Sequence, residues 1–467
     1  MSSFYNVGEK KVRPGVYKRY ENVGKSEVPA AIKGVFAITI HADNGPLDTV
    51  SVFTKDTIDE FKKLYGTGGT ADAVLALFDG GATKVYVYRL GTGGSNGEAA
   101  ISSSDTTLLT IKTKYPTSLP FKVVIKEKLG TTETKQFLLY NGTELVETIE
   151  FESGLSDCTT LVDAINSKSI YVTATKSSDG AVPNVSGTIL ADGDDPTVNT
   201  ESYSAAFTAF EPFKWNMMVL DTVDTAVHAL VKAYINRIFL EGALGVCTLG
   251  EPTTVAFDTR KSHAAAFNDE KIIYLGSGYE DADGNKIDGY KAIAVQAGII
   301  GSLESNQSAT HTVIPGAVNT LEVLKNSQYT DAINNGMILL SPNDEGQVWF
   351  DSAVNTLITP GPDQDDGWKK IRRTSTRFEM FDRIDKTLAP LIGKVDCDDI
   401  GVGDCIIGGQ AVLDAMFKEG KLLDGPQFYE DTTKTRGSDY AYFIIDAVDK
   451  DSLEKIYLTY QFRFTAE

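Results

Sequence analysis

Between Met217 and Leu303 one alternation occurs three times, and it restricts the fold more than any other feature of the chain. Short apolar runs at 217–221, 245–249 and 271–275 are each followed by a stretch with helical spacing, at 224–239, 259–268 and 289–303. In the first of these Val227, Leu230, Val231, Tyr234, Ile235 and Ile238 recur at i, i+3, i+4 and i+7, which lines one side of a helix. Strands separated by helices cannot close tight hairpins. They pair in parallel, with the helices covering the sheet.

The same texture appears earlier. Gly34-Val35-Phe36-Ala37-Ile38-Thr39-Ile40 suits a buried strand, 56–65 a short helix, and 83–90 a second strand. Between the two α/β stretches lies different material. Residues 101–200 hold 28 Ser and Thr, and β-like runs recur at 108–113, 121–128, 136–140, 146–151 and 170–174, as in a small all-β module. A glycine-rich linker, Gly91–Gly97, precedes it, and the acidic turn Ala191–Pro196 closes it. The reading is a mixed α/β, multi-domain chain: an α/β core at 31–97 and 201–360, with a β-rich insertion at 98–200. A hairpin is expected from 337–340 and 347–350, flanking Ser341–Gly346. After the break at Pro360–Gly367, a C-terminal domain at 361–467 is predicted to hold helices near 368–389 and 406–417 and a strand at 440–448. Residues 1–30 read as an extended arm.

Composition excludes several functions. Sixty-four acidic against 44 basic side chains give a formal net charge of −20, which repels a phosphate backbone or anionic lipid over most of the surface. Nucleic acid is not an expected partner. The 11-residue apolar stretch Ile293–Leu303, interrupted by Gln296, is too short to span a membrane, and Met1–Lys11 has no apolar core of a secretory signal. The expectation is a chain made in the cytoplasm, without membrane insertion, whose cysteines (Cys158, Cys247, Cys397, Cys405) stay reduced. Asp281–Asp288 resembles a calcium loop, but its glycine stands fourth rather than sixth and Ala292 occupies the place of the bidentate Glu. An Asp-Gly turn capping the next helix is the preferred reading. Gly284–Lys291 imitates a phosphate loop with Tyr290 where the lysine belongs. With only four histidines and no Gly-x-Ser-x-Gly or His-Glu-x-x-His, no catalytic, cofactor or metal residue is assigned. Asp221 and Asp446, at strand ends, are read as capping residues rather than catalytic ones.

Two features remain. Lys369, Lys370, Arg372, Arg373 and Arg377 form a basic block in an acidic chain, a candidate patch for a neighbouring copy. Both ends also carry strand-like segments. Val16, Tyr17, Lys18, Arg19 and Tyr20 lie on a leader with no local partner. In the final segment Ile456, Leu458, Tyr460, Phe462 and Phe464 alternate with Tyr457, Thr459, Gln461 and Arg463, which predicts a strand over 455–464. Strands without a partner in their own chain suit pairing with another subunit.

Arg13-Pro14-Gly15-Val16-Tyr17, together with the strand at 442–448 and the ending Asp451-Ser452-Leu453-Glu454-Lys455-Ile456-Tyr457-Leu458-Thr459-Tyr460, resembles the opening and closing segments of contractile tail sheath proteins. Such sheaths belong to myovirus-type phages, defective prophage particles and R-type tail bacteriocins. The resemblance covers most of the chain in order: arm, α/β domain, β insertion, α/β continuation, C-terminal domain and a terminal arm from about 453. It implies a non-enzymatic virion structural subunit without cofactor, stacked in hexameric rings as a helical assembly around an inner tail tube protein. It further implies a metastable sheath that contracts, contacts to baseplate and tail terminator proteins, and strand exchange between copies. The competing reading is a cytoplasmic α/β enzyme with a carbohydrate-binding-like insertion, which a pocket of titratable residues around Asp221 would favour.

Overall fold

The computed structural model describes residues 33–463, together with the backbone of two short strands, Ser2–Phe4 and Val16–Lys18. Contacts divide it into two units. One holds 33–379 and 448–463; the other holds 380–447 and the two N-terminal strands. The helix Ile371–Leu388 runs from the first into the second.

The larger unit is built on a seven-stranded sheet. Its order is Met337–Ile338, Ile272–Leu275, Val246–Gly250, Met217–Val219, Val35–Ile40, Lys84–Arg89, Val50–Thr54, all parallel except the last, which pairs antiparallel with Lys84–Arg89. Period-2 geometry sends Phe36, Ile38 and Ile40 to one face and Ala37 to the other, and both faces are buried. Helices Asp72–Asp79 and Gly289–Ser302 cover the first face; Thr200–Phe210, Thr225–Leu240 and Phe257–Phe267 cover the second. The first two helices approach backbone to backbone: a Cβ on Gly298 would stand 2.6 Å from the Leu77 carbonyl oxygen, so only glycine fits.

Outside the insertion, the sequence reading misses in this unit the strand Val50–Thr54, the small sheet of Tyr279–Asp281, Lys286–Ile287 and Ala317–Thr320, and the helices Asp72–Asp79, Thr200–Phe210 and Asn326–Asn334. The expected hairpin is also split. Met337–Ile338 joins the parallel sheet, and Leu340–Pro342 alone pairs with Val348–Phe350. The calcium-like segment is a turn. Asp281 Oδ1 accepts the amides of Asp283 and Asn285, and Asp288 caps the Gly289–Ser302 helix. Among the described residues no cluster of His, Cys, Asp or Glu is arranged to hold a metal.

The insertion has its own core. One sheet orders Glu144–Glu152, Thr134–Asn141, Phe121–Glu127 and Val185–Ile189; another orders Val172–Lys176, Thr106–Thr113 and Glu98–Ser103. It is not all-β as expected, because the helix Asp157–Lys168 closes the core with Cys158, Leu161 and Ile165. Those three residues have helical spacing, but the Thr-rich surroundings obscure it. The buried Asp157 carboxylate accepts from Lys135 Nζ at 2.9 Å and from the Val182 amide at 2.6 Å, which satisfies both charges away from water.

Insertion and core meet at a short antiparallel stem, with bridges Thr92 to Thr197, Ser95 to Asp194 and Glu98 to Ala191. Beside it the fully buried Arg89, last residue of its strand, donates to the carbonyls of Ala42 (2.9 Å), Gly45 (2.8 Å) and Pro116 (3.0 Å). Pro116 belongs to the insertion and the other two to the core, so one guanidinium joins them.

In the smaller unit, Met380, Ile384, Val412, Leu413, Met416, Leu422 and Phe428 form one core. The helix Asp399–Lys418 is long and apolar enough to cross a membrane by length and composition, yet its Val412, Leu413 and Met416 lie in this core. Gly409 lets the Phe428 ring lie directly on that helix, since a Cβ there would meet it at 2.5 Å. A ribbon of Gln427–Glu430 and Phe443–Asp446 completes the unit; its first strand was not anticipated.

Replacing Arg89 with Met should strand three buried carbonyls and lower stability by about 3 kcal/mol. Denaturant unfolding would measure it, with the exposed Lys63→Met as a control expected to stay within about 0.5 kcal/mol.

Candidate functional site

The basic block sits where the chain enters its longest C-terminal-half helix pair. Asp365 caps a short 3-10 turn, Asp366–Lys369, and Ile371–Leu388 follows. Lys369 pairs with Asp366 at 2.9 Å, as neighbours one turn apart do. Lys370 Nζ lies 2.9 Å from both Asp451 and Glu454. Arg373 makes a two-pronged pair with Asp449, Nε to Oδ2 at 2.6 Å and Nη2 to Oδ1 at 2.7 Å. The Arg377 guanidinium stands 3.7 Å from the Trp368 ring centroid, and burial holds its pKa below the usual arginine value. Arg372 makes no ion pair among the described residues. Four of the five cations are therefore occupied within the chain.

The acids that hold Lys370 and Arg373 lie on the segment that leads to the C-terminal end. Asp449, Asp451 and Glu454 were not singled out from sequence, although acids placed just ahead of an alternating apolar run, in a chain with one basic block, are a readable signal. Hydrogen bonding to Asp449 leads the influences that raise the Arg373 pKa. Burial alone would raise the Asp451 carboxyl; Lys370, the Ser452 amide and Arg373 overcome it and leave it below the ordinary range.

Beyond Glu454 the character changes at once. Residues 455–463 carry no helix or strand, which corrects the expected strand over that stretch, and Phe464 lies outside the described residues. Ile456 is 71% exposed, Tyr457 88%, Leu458 70%, Tyr460 75% and Phe462 84%; Thr459 is exposed too. Alternation alone does not make a strand. A ladder partner is needed, and none pairs with this stretch among the described residues. At the other end Val16, Tyr17 and Lys18 do form a strand, paired in parallel with Ser2, Ser3 and Phe4, a local partner the sequence reading did not find. Arg19 and Tyr20 lie outside the described residues.

The ribbon Gln427–Glu430 with Phe443–Asp446 is two strands wide, so each strand keeps one edge unpaired among the described residues. It is held rigid from below and from the end. Phe428 stacks on Phe443 with centroids 5.3 Å apart, and Arg436 bridges Glu430 and Asp399. Tyr429, Tyr440 and Tyr442 are exposed around it.

The C-terminal edge of the parallel sheet is the place where α/β folds keep active sites, above all between strands that lead off in opposite directions. Here those strands are Val35–Ile40 and Met217–Val219, and His41 and Asp221 follow them. Asp221 is fully engaged: Oδ1 accepts from Thr39 Oγ1 at 2.7 Å, and Oδ2 contacts His41 Nδ1 at 2.6 Å and Thr70 Oγ1 at 2.8 Å. The hydrogen bond to Asp221 outweighs burial and raises the His41 pKa. Nearby His263 Nδ1 lies 2.8 Å from the Glu251 carboxylate, which also accepts from Tyr274. His228 donates Nε2–H to the Thr222 carbonyl, and burial chiefly lowers its pKa. Three of the four histidines thus gather at this edge. Asp221 spends its oxygens tying two strands and the 66–70 loop together, which is the work of a strut. Asp446, in the ribbon, has no part in it.

Residues 197–356 match the family described as the phage tail sheath protein central domain. YqbK of Bacillus subtilis (strain 168) is 25% identical over 378 residues, covering 76% of this chain and 75% of that protein. The solved sheath tail protein of Desulfitobacterium hafniense aligns with a TM-score of 0.71 at 17% identity, over 93% of this chain and 100% of its own. That of Listeria innocua gives 0.68 at 17% identity, over 90% and 96%. The contracted helical sheath of the anti-feeding prophage gives 0.54 at 12% identity, over 97% and 99%. At these identities the structural likeness is one of fold, and it extends over nearly the whole chain.

The His41–Asp221 pair sets a pH dependence. A histidine whose folded pKa is raised stabilises fully below its unfolded pKa and ceases to do so as pH rises through the folded value. The stability difference between the native chain and His41→Asn should therefore be largest near pH 5.5 and shrink toward pH 9, as urea midpoints across that range would report.

Proposed function

We propose that this chain, which carries a phage tail sheath central domain within the fold of sheath tail proteins, is the structural subunit of a contractile sheath. Copies stack as hexameric rings in a helical array around an inner tail tube and shorten to drive that tube through a target cell envelope. The partners are the chain itself, the tube protein, and the baseplate and terminator proteins of the tail; the place of action is a virion tail or tail-like particle assembled in the host cytoplasm. Neither cofactor nor catalytic residue enters the mechanism, because contraction releases energy stored in a metastable array.

The observation that carries the reading is the exposed apolar end. Five large apolar side chains at Ile456, Tyr457, Leu458, Tyr460 and Phe462 stand in solvent directly after a segment pinned by ion pairs. Soluble proteins cover such runs, and a second copy offers the ribbon edge they need. We assign residues 455–463, with the leader around Val16–Tyr20, as strands donated to the ribbon of a neighbouring copy. Main-chain hydrogen bonds would tether subunits there while their bodies turn past one another. The basic block supports this from inside the chain rather than across the interface, and Arg372 is the member left to meet a neighbour's acids.

Expressed alone at high concentration, the full chain should give tubes by electron microscopy and a sedimenting polymer, and a chain lacking 455–467 should give neither. Polymerisation of the truncated chain would remove the strand-donation role. A full chain that stays monomeric and turns over a screened substrate would return the enzyme.

A further inference from the structure

We infer that Lys370 and Arg373 are a charge clamp that fixes the root of the donated C-terminal segment and so sets where a neighbouring copy must lie to receive it; this rests on the strand-donation reading above. The clamp is compact. Three acids within six residues, Asp449, Asp451 and Glu454, are each held by one of two cations a single helical turn apart. Glu454 is tied further by the hydroxyls of Ser308 and Ser452. Its side chain is 19% exposed, whereas Tyr457, three residues on, is 88% exposed. The boundary between bound and exported chain therefore coincides with the last ion pair.

A fixed root has a geometric consequence. Nine extended residues, 455–463, reach roughly 30 Å. A root free to swing would let the apolar run search a volume of that radius, including edges of its own chain. Pinned at Glu454, it leaves from one point in one direction. The pairs suit this task better than an apolar contact would. A two-pronged arginine–carboxylate pair fixes orientation as well as distance, and it holds an acidic segment without burying more of it.

The test uses the full chain. Lys370→Glu with Arg373→Glu should free the root, so that chymotrypsin cuts after the exposed Leu453 about tenfold faster in free subunits, an opening easier by about 1.4 kcal/mol. Sedimentable polymer should fall in parallel, with the thermal midpoint of the body within about 2 °C of the native chain. Adding Asp449→Arg and Asp451→Lys to the same chain should restore both protection and polymer, which a variant that merely misfolds would not do. The clamp is overturned if the double variant polymerises like the native chain while the 455–467 truncation does not, or if the swap restores neither readout. Polymerisation of the truncated chain marks the failure of strand donation itself, and the clamp falls with it.

Discussion

The larger unit depends on one junction. Its sheet is assembled from two stretches of chain, and the strand Val35–Ile40 from the first pairs with Met217–Val219 from the second across some 180 residues of intervening sequence. Closing so long a loop carries an entropy cost that rises only slowly with length, but nothing local enforces the register. Asp221 does so. Buried and accepting from Thr39, His41 and Thr70, it can be satisfied only when the two strands lie at the observed register, because a slip of one residue would turn Thr39 to the opposite face. The His41 contact at this edge is then a consequence of building the junction from polar groups.

Arg89 solves the corresponding problem for the insertion. An inserted domain joined by two linkers is free to swing, and the antiparallel stem limits only part of that freedom. The guanidinium adds three hydrogen bonds to carbonyls on both sides of the stem, with Asp43 and Asp195 close enough to favour its charge. Burial works against that charge, which is why the carbonyls must all be in place. The proposed clamp would repeat the principle near the chain end, where the planar Arg373 guanidinium makes a two-pronged pair with Asp449.

What could be read from sequence follows from how much of each signal is local. The parallel strands and the Thr225–Leu240 helix were legible because their periodicity needs no partner to be recognised. Asp72–Asp79 was not, since Asp-Ala-Val-Leu-Ala-Leu-Phe-Asp is apolar on every side and helix and strand look alike in so short a run. Gln427–Glu430 has four residues and gains its identity only from Phe443–Asp446 across the ribbon. The terminal run reversed the problem, because its alternation is clear while no strand partner for it is found among the described residues. The basic block was visible as charge, but the acid that holds Arg373 lies 76 residues away in sequence, and only the fold brings the two together.

If residues 455–463 are donated as proposed, their lack of helix or strand in the free chain bears on how copies would assemble. Ordering nine residues costs about 1.5 kcal/mol each, roughly 13 kcal/mol. Burying five large apolar side chains returns about 2 kcal/mol apiece, roughly 10 kcal/mol, and a strand's ladder bonds add a few more. One arm on one ribbon is therefore close to balanced, and two free subunits gain little by meeting. Fixing the root would remove part of the cost in advance, and the proposed ring, presenting several ribbons at once, would supply the rest through high local concentration. On the proposed strand donation, polymerisation would then proceed from a template rather than in free solution. The net charge of −20 acts in the same direction, because it opposes chance encounters between bodies while leaving main-chain pairing untouched.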